Sequence, residues 1–157
     1  MAVEVGQQAP DATLVNTDRK PVRLSELRGK TTVLAFFPAA FTGTCTKEMC
    51  RFRDDHNRLD SLNAQVVGIS ADTPFVLAEW AKQHNLKQMM LSDFNHDAMK
   101  AYGVYDGAFL GGLLNGIAKR SVFVVDKNGK VIYRWVADAP GVEPPYEEVE
   151  AVVKKVT

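Results

Sequence analysis

Only two cysteines occur in 157 residues, too few for the disulfide framework that holds small secreted domains together. An excess of charge is missing too. Nineteen basic residues balance nineteen acidic ones, so no overall field draws in nucleic acid or an anionic membrane surface. Long apolar runs are absent. The longest, Val33 to Phe41, is interrupted by Pro38 and is about half of the roughly 20 residues a bilayer-crossing helix needs. The opening Met-Ala-Val-Glu-Val-Gly carries an acid and no basic segment, so no secretory signal is expected. Repeats, low-complexity tracts and linker-like stretches are lacking as well, and residues 1–157 read as one domain. The expectation is a cytoplasmic globular chain without a nucleic-acid or membrane partner.

Hydrophobic residues, at 46% against 24% charged, supply enough apolar surface for a core. Thr31–Phe37, Gln65–Ile69 and Ser121–Val125 are nearly continuous apolar runs. Such strands are buried on both faces, which predicts a sheet covered by helices on each side. Shorter strands are predicted at Ala12–Val15 and Val22–Leu24. Helices are predicted over Cys45–Leu62, from a cap at Asp72-Thr73-Pro74 to His84, over His96–Tyr102, and after Pro144-Pro145. The last places Val149, Val152, Val153 and Val156 on one face. Asp126-Lys127-Asn128-Gly129 is a turn signal, so Val131–Val136 should pair antiparallel with the strand before it. The order predicts an α/β fold with a mixed central β-sheet flanked by helices.

Chemistry concentrates in Phe37-Pro38-Ala39-Ala40-Phe41-Thr42-Gly43-Thr44-Cys45-Thr46-Lys47-Glu48-Met49-Cys50. A buried strand ends before Pro38, and Thr44 is the expected N-cap, which puts Cys45 in the first helical turn. Unpaired N–H groups and the positive end of the helix dipole favour an anion there, and thiolate is the reactive form of cysteine. A free cysteine is also a common small core residue, and position alone leaves both readings open. Helical phase separates the two cysteines. Met49, Phe52, His56 and Leu59 mark an inward face that includes Cys45, whereas Cys50 turns toward Arg53, Asp54 and Asn57 and is expected at the solvent-facing side. In an ideal helix their Cα atoms stand about 8.7 Å apart, beyond the reach of about 7 Å that a disulfide allows. A metal site is disfavoured, because no second cysteine pair follows and His56 lies away from Cys50. A dithiol reductase is disfavoured too, since no Cys-x-x-Cys is present and no proline immediately precedes Ser121.

Pro38-x-x-x-Thr42-x-x-Cys45 resembles the active-site signature of the peroxiredoxins, thiol peroxidases of thioredoxin-like fold in the AhpC/TSA superfamily. The resemblance extends over Val5-Gly6-x-x-Ala9-Pro10, Leu24 to Lys30, Gly68-Ile69-Ser70-x-Asp72, Ser92-Asp93, Tyr102-Gly103-Val104 and Arg120-x-x-Phe123-Val124-Val125-Asp126. Cys45-x4-Cys50 is similar to the bacterioferritin comigratory protein (peroxiredoxin Q) branch, while Phe-Pro-Ala-Ala-Phe-Thr-Gly is closer to the AhpE-like branch. The resemblance implies that Cys45 attacks a peroxide oxygen and becomes a sulfenic acid. It implies that the Thr42 hydroxyl orients the peroxide, that Pro38 shields the sulfur from water, and that Arg120 holds the thiolate. Glu48 matches a supporting acid that pairs with the arginine.

On the same resemblance, Cys50 resolves the sulfenic acid as an intramolecular disulfide, and a thioredoxin-like dithiol reduces it. An external thiol acting on Cys45 alone, or a redox sensor or chaperone-like protein using the same thiolate, are the alternatives. No cofactor and no metal are called for, peroxides are the substrates, and the chain is expected as a monomer or homodimer. Trp80 and Phe41 are candidates for the pocket wall, though aromatics at such positions are more often core. His56, His84 and His96 share no motif and are assigned no chemistry. Gly107–Gly116, with Phe109, Leu110, Leu113 and Leu114, lacks phosphate-loop spacing and reads as a hydrophobic contact, a substrate lip or a plain connector.

The spacing generates one prediction. If Cys45 and Cys50 bond, the first turns of their helix must unwind, and NMR of the peroxide-treated protein should show helical shifts lost there. A bond formed within an undisturbed helix would refute the geometric argument.

Overall fold

The computed structural model describes residues 2–156. Seven strands form one sheet in the order β2 (Pro21–Arg23), β1 (Thr13–Asn16), β5 (Met89–Ser92), β4 (Ala64–Ser70), β3 (Thr31–Phe36), β8 (Ser121–Val125) and β9 (Val131–Val136). Strand β3 pairs parallel with β4 and antiparallel with β8, so the sheet is mixed. A separate two-stranded ladder joins β6 (Tyr105–Asp106) to β7 (Ile117–Ala118). The helices are α1 (Gly43–Ser61), α2 (Pro74–His84), α3 (Asp97–Ala101) and α4 (Tyr146–Lys155).

Continuous apolar strands arise because alternate residues fill opposite faces. Val33, Ala35 and Phe37 join Met49, Phe52, Leu77, Trp80, Val149 and Val153 in a core under α1, α2 and α4. Leu34 and Phe36 point the other way, into a second core with Leu14, Met99, Tyr102 and Phe123 beside α3. Each residue of β3 is buried, as a strand covered on both sides requires. The hairpin expected at Asp126–Gly129 forms, with Val122 opposite Trp135 and Val124 opposite Tyr133. Thr73 caps α2 by accepting from the Val76 amide, and Pro74 follows as the first helical residue.

Several sequence expectations need correction. The N-cap of α1 is Thr42, not Thr44: Thr42 holds an extended φ/ψ of −97°/157°, and its carbonyl accepts from the Thr46 amide. Cys45 still falls in the first turn. Strand β5 was not expected, because Met89–Ser92 is short and carries no turn punctuation, yet it pairs with both β4 and β1. In α4, Val149 and Val153 are buried, whereas Val156 lies past the last turn and is exposed.

Gly68 shows how closely α1 sits on the sheet. A Cβ there would stand 2.7 Å from Met90 Cε, 2.8 Å from Met90 Sδ and 3.1 Å from Met49 Sδ. Gly68→Ala should therefore lower stability by about 1–3 kcal/mol, nearer the lower figure because methionine ends can shift, as read from the urea midpoint.

Candidate active site

Strand β3 ends where Phe37 donates its amide to the Ile69 carbonyl at 3.0 Å. The following loop folds over the start of α1. The Ala40 amide donates to Asp72 Oδ2 at 2.8 Å, and that same oxygen accepts from the Ser70 hydroxyl at 2.7 Å. Phe41 adopts a left-handed φ of 68°, the sharp step that brings Thr42 to the helix start. The sequence motif contained Asp72 without assigning it a task. Its task here is to fasten the loop ahead of Cys45.

Cys45 is buried, with 1% of its surface exposed. Arg120, whose residue immediately precedes β8, donates from Nη2 to Cys45 Sγ at 3.2 Å. Its Nη1 donates to Glu48 Oε1 at 2.7 Å, and Nε and Nη2 both donate to the Pro140 carbonyl, at 3.1 and 2.9 Å. One buried guanidinium thus binds a thiol and a carboxylate from α1 and a backbone carbonyl from the loop at Pro140. Glu48 stands three residues after Cys45, so both face the same side of α1. That position explains why a charged residue is fully buried.

Burial pushes the Glu48 carboxyl up from 4.5 to about 7, with Arg120 acting in the opposite direction. For Arg120, burial disfavours the charge, but Glu48 and Cys45 outweigh it and raise its pKa. Thr42 lies in the same cleft, where its hydroxyl donates to the Ala39 carbonyl at 2.8 Å. Its oxygen lone pairs therefore remain available as acceptors. Pro38 is buried and lines the cleft. The cleft holds about 200 Å³ and is walled by Phe109, Pro140 and Gly141 as well. Pro38, Phe109, Arg120 and Pro140 also border an adjoining hollow of about 290 Å³.

Two sequence readings change here. Cys50 does not face solvent: it is half-buried, and its Sγ lies 4.0 Å from His84 Nδ1 on α2. The polar side of α1 at this level packs against a neighbouring helix, which helical phase alone does not reveal. The pocket wall is Phe109 rather than Trp80 or Phe41. Trp80 is fully buried in the core, while Phe41 is half exposed with its ring centroid 6.3 Å from that of Trp80. Phe109 reaches the cleft because an isolated bridge to Leu114 and a short helical turn fold the glycine-rich segment back on itself. Among the described residues, no three His, Cys, Asp or Glu side chains converge on a point suited to a metal ion, and no helix is long and apolar enough to cross a membrane.

The chain matches the AhpC/TSA family over residues 5–134. It is 37% identical to peroxiredoxin Bcp of Bacillus subtilis over 136 residues, covering 86% of each chain. Thiol peroxidase of the same organism is 35% identical over 158 residues, covering 97% of this chain and 90% of that one. Among solved structures, a peroxiredoxin-like protein from Aquifex aeolicus superposes with a TM-score of 0.91 at 30% identity, covering all of this chain and 90% of that chain.

The buried pair generates a pH prediction. A carboxyl whose folded pKa is raised keeps its proton longer in the native state than in the unfolded chain. The stability it contributes is present below about 4.5 and is lost as pH rises through about 7. In a Cys45→Ser background, unfolding free energy should fall between pH 5 and 8 with Glu48 present, by urea titration at each pH. That fall should be absent when Glu48→Gln is added.

Proposed function

Because the chain belongs to the AhpC/TSA family and is a peroxiredoxin, a thiol-dependent peroxidase of thioredoxin-like fold, we propose that Cys45 is its peroxide-reacting thiol and Cys50 its resolving thiol. The observation that carries this reading is the Arg120 guanidinium, 3.2 Å from Cys45 Sγ and locked by Glu48. A fixed cation beside the sulfur complements negative charge on it, and complements the charge that develops on the departing oxygen.

The reaction then runs as follows. The Cys45 thiolate attacks one peroxide oxygen, a sulfur–oxygen bond forms and the oxygen–oxygen bond breaks. The leaving oxygen departs as an alcohol or water after taking a proton, and the sulfur becomes a sulfenic acid. Thr42 accepts the peroxide O–H, Pro38 keeps water from the sulfur, and Phe109 gives the mouth an apolar wall for hydrogen peroxide or an organic hydroperoxide. Glu48 acts through Arg120 and is a positioning residue. Cys50 next attacks the sulfenic sulfur and expels water. A thioredoxin-like dithiol reduces the resulting disulfide.

Peroxide consumption coupled to thioredoxin and its reductase tests the scheme. Cys45→Ser should abolish turnover, and Arg120→Ala should lower kcat/KM by about 10²–10³-fold, the usual cost of removing one preorganised donor. Cys50→Ser should end thioredoxin-driven turnover and leave the sulfenic acid visible by mass spectrometry. Unchanged turnover in Cys50→Ser would assign resolution to an external thiol, and oxidation limited to a single turnover in the unaltered protein would mark a sensor.

A further inference from the structure

Cys50 is not left alone on the flank of α1. His84, the last residue of α2, brings Nδ1 to 4.0 Å from Cys50 Sγ, and both side chains are half-buried. The imidazole ring meets Trp80 edge-on with centroids 6.3 Å apart, and the backbone carbonyl of His84 accepts from Arg53 Nη1 at 2.7 Å. A thiol is a weak nucleophile until its proton is removed, and an imidazole within reach is the usual acceptor. His84 also sits at the negative end of α2, where positive charge is favoured.

The same contacts determine which part of α1 stays in place. Gln88 Nε2 donates to the Met49 carbonyl at 2.9 Å, and Met49 is fully buried. Together with the Arg53–His84 contact, this ties the stretch around Cys50 to α2 and the loop behind it. At the start of α1, Thr42 and Gly43 are exposed and the Thr42 side chain caps no helical amide, so the first turn depends on the contacts of Cys45 and Glu48 with Arg120. A helix frays from such an end.

Resting on the resolving role read above, and on the unwinding that the Cys45–Cys50 spacing already requires, we propose that His84 is the base that readies Cys50. With the lone pair on Nδ1, His84 takes the Cys50 proton. The Cys50 thiolate attacks the sulfenic sulfur of Cys45, the sulfur–sulfur bond forms and the sulfur–oxygen bond breaks. Cys50 sulfur is oxidised and Cys45 sulfur reduced. The departing hydroxide leaves as water with the proton His84 held, so the step needs no other reactant. The charged groups near the pair are Arg53 and Asp54 on α1, Lys82 in the same last turn of α2 as His84, and Lys87 in the loop beyond α2. Asp54 accepts from Arg53 Nε at 3.0 Å, which offsets the cation that bonds the His84 backbone carbonyl.

The decisive experiment times disulfide formation by acid quench and intact mass after one equivalent of peroxide, in the full-length protein and in His84→Gln and His84→Ala. Formation should slow about 10²-fold in both variants, the lower end of what one general base supplies, and added imidazole should restore speed in His84→Ala. Separately, in Cys45→Ser, alkylation of Cys50 by iodoacetamide should fall at neutral pH when His84→Gln is added and converge at alkaline pH. Disulfide formation at an unaltered rate overturns the role of His84 alone. So does slowing without imidazole rescue and with unaltered alkylation, which would mark a packing residue. A protein that keeps the mass of one added oxygen, even with His84 intact, overturns the resolving reading of Cys50 and this inference with it.

Discussion

A single buried guanidinium organises this molecule. Taking a charge out of water costs several kcal/mol unless its surroundings answer each donor, and Arg120 has only 3% of its surface exposed. The answer comes from three groups on two elements: Cys45 and Glu48 on one face of α1, and the Pro140 carbonyl from the loop after β9. These groups lie between 20 and 75 residues from Arg120 in the chain. The requirement to satisfy the guanidinium therefore fixes the seating of α1 against the strand edge. The same contact that stabilises the arrangement aims the cation at the sulfur.

The Asp72 carboxylate does comparable work on the other side of Cys45. It receives the Ala40 amide, and the Ser92 hydroxyl donates to the backbone carbonyl of Asp72 at 2.6 Å, so β4, β5 and the loop before α1 share one polar junction at this residue. Loop amides buried without partners would cost about 1–3 kcal/mol each. With Asp72 present, the loop can hold the left-handed step at Phe41 and keep Thr42 beside the cleft. Cys45 is positioned by a cation behind it and a tethered loop in front.

Much of this was readable from residue order, and the unread parts share a cause. The run Thr31–Phe37 announced a doubly covered strand because, after Thr31 and Thr32, neither of its alternating sets contains a polar interruption before the loop. Cys45 in a first helical turn was legible from Pro38 and the polar residues after it, although the cap proved to be Thr42. The burial of Glu48 beside Arg120 followed the family resemblance, not the helix pattern, which reads an acid there as equally well solvated. Cys50 was misplaced because helical phase describes one helix and is silent about α2 beside it. Pro140 carries no local signal, and Phe109 was legible only through the substrate-lip reading of the glycine-rich segment: their place at the cleft depends on how a glycine-rich turn and a post-hairpin loop fold back from distant parts of the chain.

The balanced charge of the chain acquires a local meaning at the same site. On the proposed cycle the substrate is a small, uncharged peroxide, whose encounter with Cys45 would gain nothing from a long-range field, so zero net charge carries no penalty for it. Charge matters only within the cleft, where Arg120 meets sulfur. On the proposed cycle that pairing is itself temporary. A thiolate accepts a charge-assisted hydrogen bond, roughly twice as strong as a neutral one, whereas a sulfenic acid carries no charge. Oxidation of Cys45 thus weakens the bond that holds the first turn of α1 to Arg120, while Glu48 continues to satisfy the guanidinium. The turn is loosened by the reaction that requires it to move, and the part of the helix around Cys50 remains anchored to α2.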